Sequence, residues 1–255
     1  MNLKMILKPI MILNSLSQNA VDIFWQRCGA AEFSYDLFPQ LIELAFPIKI
    51  VRLPTLSLHN IEIWLARRGG NYTFNCQSRA VRGCLVAYSG KGILFIDSQD
   101  EQQQQIFTIA HEVGHFLLDY WIPRQDAIAK MGSEIEGVLD GHRDPTHGER
   151  LKALFNKISV GIHINLMERG TLSNSDIWEI EDNADRVALG LLAPPDLLQP
   201  AIDALVGSYE ERLVTLSSIL SEQYSLPNII AQGYAVSLLS HFGHGNSWVE
   251  RMGLR

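Results

Sequence analysis

What constrains this chain most is a pair of histidines and a glutamate set into an otherwise apolar, helix-forming run. His111-Glu112-Val113-Gly114-His115 is flanked by Phe107, Ala110, Phe116 and Leu117. On an α-helix, residues four apart stand about 40° apart around the axis, so both imidazoles leave one face and can share one ion. Glu112 is turned about 100° from His111, which puts it beside such an ion, where it can take a proton from water. Zinc suits the pair, because it accepts imidazole nitrogen at about 2.0–2.1 Å and in reactive sites keeps one position open. With 8 histidines in 255 residues, HExxH arises by chance in roughly one such chain in a hundred. The surroundings weigh against chance here: polar groups inside a core-like helix must be satisfied by something, and a metal does that.

Two histidines do not complete a site. Glu181 is the best third ligand, in Glu181-Asp182-Asn183-Ala184-Asp185. It lies on a helix expected over Ser175–Leu192, whose inner face carries Ala184, Ala188, Leu191 and Leu192. Asp185, four residues on, can accept the second ring N–H of a ligand histidine and fix its tautomer. Glu179 is the fallback ligand, though it points about 160° away from Glu181. The competing reading of Glu181 is an ordinary exposed helix acid.

The rest of the chain reads as α+β: a small sheet packed on the central HExxH helix, with a largely helical C-terminal region. Helix-like spacing covers Ser17 to Ala45 in two pieces, stopped by Pro47. Ile48–Leu53 reads as a strand and His59–Arg68 as a short helix closed by Gly69 and Gly70. Three β-rich runs follow, Tyr72–Cys76, Cys84–Tyr88 and Ile93–Ile96, the last two forming a hairpin across Ser89-Gly90-Lys91-Gly92. Asp97–Asp100 offer N-caps for a helix from Glu101 to Tyr120. Trp121–Ile177 is irregular, with a helix over Glu149–Ile158 and an ambiguous Gly161–Arg169. Helices resume at Leu197–Leu205, Glu210–Gln223 and Asn228–His241. The division expected is an N-terminal helical segment 1–45, a metallopeptidase domain 46–200 with an insertion at 120–178, and a helical region 201–255.

Composition narrows the function classes. The charge of −7 lacks the basic surplus of a nucleic-acid binder. Leu213–Leu239 has a helix–turn–helix look, but from Gly207 onward three arginines and no lysine face four glutamates, too few cations to hold phosphates. Cys28, Cys76 and Cys84 are odd in number and form no CxxC pair, so free thiols in a reducing compartment are expected. The apolar start, Met1–Leu13, is interrupted by Lys8 and Pro9 and does not read as a signal peptide. No membrane span is expected, and a cytoplasmic location follows.

Phe107-Thr108-Ile109-Ala110-His111-Glu112-Val113-Gly114-His115-Phe116-Leu117-Leu118 resembles the F-T-x-A-H-E-x-G-H-x-L-L block of the ImmA/IrrE-type metallo-endopeptidases. Glu181-x-x-Ala184-Asp185-x-x-Ala188-x-x-Leu191-Leu192-Ala193-Pro194 is similar to that family's second block. The resemblance covers roughly Ala45 to Pro200. It implies His111 and His115 as zinc ligands, Glu112 as general base and Glu181 as third ligand. It also implies a protein substrate, which in several members is a DNA-binding repressor whose cleavage switches on a stress or mobile-element programme. Val187 and Ala193 stand where the family has Phe and Met, and the stretch between His115 and Glu181 is longer than usual.

Other candidates are weaker. A peptide hydrolase needs a donor for the oxyanion, and His163, flanked by apolar residues, is a candidate beside its reading as a structural histidine. Tyr88 and Tyr120 come behind it. His241 and His244 lie in a glycine-rich stretch with no acidic or thiol neighbour in sequence and are not expected to bind metal. The expected activity is zinc-dependent cleavage of a protein. Its rivals are a regulatory binding module with a non-catalytic zinc site and a zinc hydrolase of small molecules.

Overall fold

The computed structural model describes residues 12–29, 35–70, 72–150, 160–169 and 175–245, with side chains from 181 onward in the last of these. The readings of Met1–Leu13 and of a helix over Glu149–Ile158 fall largely outside the described residues.

Four strands form one sheet in the order β1-β3-β2-β4: β1 Ile48–Leu53, β2 Val81–Tyr88, β3 Lys91–Asp97 and β4 His163–Glu168. β1 runs parallel to β3, while β2 is antiparallel to both β3 and β4. Alternation sorts the side chains between two layers. Ile48, Ile50, Leu85, Ala87, Leu94 and Ile96 face the main core, and Val51, Cys84, Val86 and Phe95 face a second one under Leu58, Ile61 and Leu65. Those last three residues belong to α3, Leu58–Ala66, capped by Ser57. The sheet therefore lies between α3 and the HExxH helix α4, Gln102–His115. The hairpin turn is tighter than the spacing implied. Only Ser89 and Gly90 separate β2 from β3, both at positive φ (50° and 73°), the conformation that matches the twist of adjoining strands.

The other described helices are α1 Ser15–Cys28, α2 Phe38–Ala45, α5 Ile122–Met131, α6 Glu136–Leu139, α7 Ser175–Leu192, α8 Pro195–Asp203, α9 Tyr209–Glu222 and α10 Asn228–His241. Residues from α1, α2, α4, α7, α9 and α10 share the main core, among them Phe24, Ile42, Val113, Ala188, Leu216 and Leu238. The hydroxyls of Tyr35 and Tyr234 donate to the Leu192 and Ala193 carbonyls at 2.9 and 3.0 Å, tying down the open end of α7.

Three local expectations are corrected and one ambiguity is resolved. Residues 72–76 form no strand; the extended run lacks a partner there, and its Phe74 packs under α3 instead. None of Asp97–Asp100 caps α4: its N-cap is Glu101 without a side-chain bond, because Asp97 accepts from the Thr55, Leu56 and Gln99 amides. The helix does not end near Tyr120. It passes through a π-helical segment, Phe116–Trp121, in which the Ile122 N–H donates to the Leu117 carbonyl five residues back, and continues into α5. Finally, Gly161–Arg169 contributes the edge strand β4. Ile164 and Leu166, alternating with His163 and Asn165, pack on the core under α3, though all six residues are only half-buried. The division into segments 1–45, 46–200 and 201–255 is retained as a proposal.

Candidate metal centre

The centre is built where α4 and α7 touch. Gly114 makes that contact possible: a Cβ there would sit 2.9 Å from the Ala184 carbonyl oxygen and 3.0 Å from its Cα. Ala184 is the small residue between Glu181 and Asp185, so the closest approach of the two helices falls where α7 carries its acids. Gly83 on β2 plays a similar part beneath Glu112, since a Cβ there would lie 2.6 Å from the Glu112 Oε1.

His111, His115 and Glu181 converge. The two Nε2 atoms are 3.1 Å apart, and Glu181 oxygens lie 3.2 Å from His111 Nε2 and 3.7 Å from His115 Nε2. Among the described residues this is the one group of three His, Cys, Asp or Glu donors close enough to hold an ion. Each imidazole turns its other nitrogen to a carboxylate: His111 Nδ1 to Asp185 at 2.8 Å and His115 Nδ1 to Asp119 at 2.8 Å. A carboxylate only accepts, so each Nδ1 carries a hydrogen, and a neutral imidazole then presents its Nε2 lone pair to a metal ion. Three such donors meet at this range inside the protein only with positive charge among them, on protonated imidazoles or on an ion. Donors bound at about 2.0–2.1 Å to one tetrahedral ion stand about 3.3 Å apart. The observed 3.1–3.7 Å fits that spacing.

The titrations express the same convergence. Burial pulls His111 down, but Asp185 and Glu181 outweigh it and hold the imidazole up at about 10. His115 is likewise raised against its burial, by Asp119 and Glu181. Glu181 would be pushed up by burial; the two imidazoles bring it down to about 2. Glu112 behaves oppositely. Its burial dominates and pushes the carboxyl up to about 7, with His115 and His111 offsetting only part. Both its oxygens are buried without a hydrogen bond among the described residues, although the Met167 N–H lies toward them.

The sequence reading thus brought together His111, Glu112, His115, Glu181 and Asp185. It missed Asp119, which stands four residues after His115 as His115 does after His111. That spacing was the available signal, and it lay within the expected helix Glu101–Tyr120. His163 opens β4, with its ring stacked on Tyr120 at a centroid distance of 6.1 Å; burial lowers its pKa, and it feels the charges of Asp119 and His115. Tyr120 Oη accepts the Gly90 N–H at 2.7 Å, and Tyr88 Oη lies 3.3 Å from His142 Nε2. Both hydroxyls are therefore engaged with neighbours other than the three donors. His244 does have an acidic neighbour, Asp203 at 3.3 Å, supplied by α8 rather than by its own stretch. The Glu179 side chain lies outside the described residues.

Residues 71–136 match the family model described as Peptidase_M78, IrrE N-terminal-like domain. The match contains His111, Glu112, His115 and Asp119 and ends before Glu181. Comparison with curated proteins and with solved structures finds no match. Among the described residues no helix is long and apolar enough to cross a membrane, and Cys28, Cys76 and Cys84 are all free. The matched segment supports a metallopeptidase kind of function. Residues 71–136 are thus similar to the IrrE N-terminal-like domain, a match that supports a family of the ImmA/IrrE type.

Proposed function

We propose that the chain is a zinc-dependent metallo-endopeptidase that cleaves a protein substrate. The observation that carries this is the convergence of the His111 and His115 Nε2 atoms with the Glu181 carboxylate, beside a buried Glu112 that is paired with no cationic or polar side chain among the described residues other than these histidines. A purely structural site closes all four positions with protein ligands and has no use for an adjacent base. Zn2+, when bound by these three residues, supplies a Lewis acid that polarises the peptide carbonyl and acidifies the attacking water.

The chain's own residues supply the remainder. Glu112 takes the proton of the attacking water and returns it to the leaving amine. Asp185 and Asp119 hold the two imidazoles in the Nδ1–H tautomer and fix their aim. His163, which opens β4 and feels the charges of Asp119 and His115, is the candidate donor to the carbonyl oxygen as it gains charge. Among the described residues β4 stands at the edge of the sheet beside the centre, where an extended substrate can add as a further strand. A repressor-type regulator is the substrate that the family resemblance implies, and the free cysteines accord with action in the cytoplasm.

Glu112→Gln tests the reading. It preserves shape but removes the base, so zinc content stays near one per chain while proteolysis falls at least ~100-fold. Retained zinc with an unchanged rate of hydrolysis would refute the role of Glu112. Retained zinc with no hydrolysis by the unmodified chain, across protein and peptide substrates, would favour a binding module.

A further inference from the structure

A cleft of about 550 Å³ opens at the N-terminal end of α4, between the end of β4 and the first turn of α10. Its volume falls in the range of pockets that bury a ligand. Phe107 and Met167 line its inner end, and Pro227, Ile229 and Ile230 its outer wall. The inner end abuts the metal centre. Phe107 precedes His111 by one helical turn, with ring centroids 6.4 Å apart. Met167 pairs across the sheet with Gly83, the residue pressed against Glu112. Phe107 therefore stands between the cleft and the first histidine, and a peptide held at the metal centre, advancing about 3.3–3.6 Å per residue, reaches that end of the cleft within a few residues.

The charges at the rim are largely committed to one another. Arg169 pairs with Asp97 and Asp100, and Glu168 pairs with Arg79. Arg82 and Glu101 leave one charge of each sign. What remains to recognise a ligand is the apolar wall. Ile229 stands out on it, 73% exposed on a helix whose other face is packed into the core.

We propose that this cleft is a specificity subsite, which takes a large uncharged apolar side chain of the substrate peptide within a few positions of the bond to be cut. The proposal rests on the peptidase reading above and names the residue class that the enzyme selects.

The test uses the zinc-loaded full chain and an equimolar library of end-capped decapeptides, randomised without cysteine, with cut sites read by mass spectrometry. Ile229→Lys and Ile229→Asp alter the exposed wall without touching the metal donors. Leu44→Asp, at an 86% exposed position outside the cleft, is the control, and Glu112→Gln is the blank. The unmodified chain is expected to favour Leu, Ile, Met or Phe over Asp by at least ~10-fold at one position within a few residues of the cut. Ile229→Lys should raise cutting of peptides with Asp or Glu at that position, Ile229→Asp should do so for Lys or Arg, and Leu44→Asp should leave the profile unchanged. Cuts with the same profile in both Ile229 variants, or an equal loss on all sequences with melting and zinc content unchanged, would overturn the subsite alone. No cut by the unmodified chain beyond the Glu112→Gln blank would remove the peptidase reading, and the subsite with it.

Discussion

Gly114→Ala probes the contact that brings the third donor to the first two. The new Cβ would meet the Ala184 carbonyl oxygen at 2.9 Å, its Cα at 3.0 Å and Val187 Cβ at 3.3 Å, whereas ordinary contact begins near 3.4 Å. Two of these obstacles are backbone, so no side-chain rotation relieves them and α7 must retreat by about half an ångström. Overpacking of this kind costs about 1–3 kcal/mol, while replacing glycine by alanine inside a helix returns about 1 kcal/mol. The net loss is therefore about 0–2 kcal/mol, or a fall in the apo melting temperature of up to ~8 °C for a chain of this size. The effect on metal should be sharper. Glu181 rides on α7 one turn before Ala184, and metal–ligand distances tolerate only about ±0.2 Å. A half-ångström retreat exceeds that, so zinc affinity should fall at least ~10-fold, equivalent to about 1.4 kcal/mol. Chelator competition measures the affinity and calorimetry the melting. Gly114→Ala with unchanged zinc affinity and unchanged melting would show that the two helices are not pressed together there, and the explanation of how Glu181 is positioned would fail.

His111→Ala and His115→Ala should each strip zinc from the purified chain, read by elemental analysis; full retention in both would end the metal-centre reading. Glu181→Gln should weaken zinc binding more than Asp185→Asn or Asp119→Asn, because it removes a donor rather than a donor's support. Each of those two aspartate variants should cost ~10–100-fold in affinity or activity, with near-multiplicative losses when combined, since they brace different imidazoles. A neutral Asp119→Asn would show that His115 needs no such brace. Asp97 should make stability depend on acid. Burial would raise its pKa, but the Gln99 and Leu56 amides and Arg169 together hold it below its ordinary value. A depressed folded pKa gives stability that is present above the unfolded value of about 3.9 and is lost as pH falls through the folded one. Melting curves between about pH 5 and pH 3 should therefore drop less steeply in Asp97→Asn than in the parent chain.

The sequence by itself determined whatever is local and periodic. Helical spacing of four put His111 beside His115 and Glu181 beside Asp185, and short β-rich runs bounded by turn residues marked β1, β2 and β3, because each pattern is set by backbone geometry within a few residues. The same spacing of four, carried one step on from His115 inside the expected helix, leads to Asp119. Only the tertiary structure decided which elements meet. The bond from His111 to Asp185 spans 74 positions, and it forms because Gly114 and Ala184 let two helices approach more closely than side chains normally allow. Nothing in a one-dimensional pattern encodes that distance. β4 was ambiguous for a related reason: its alternating run, Ile164 and Leu166 between His163 and Asn165, is short, and its identity as a strand comes from β2, which lies more than 70 positions earlier and supplies its hydrogen bonds. The cleft beside Phe107 exists only because that same strand and α10 close around the start of α4, so no stretch of the chain carries its signature alone.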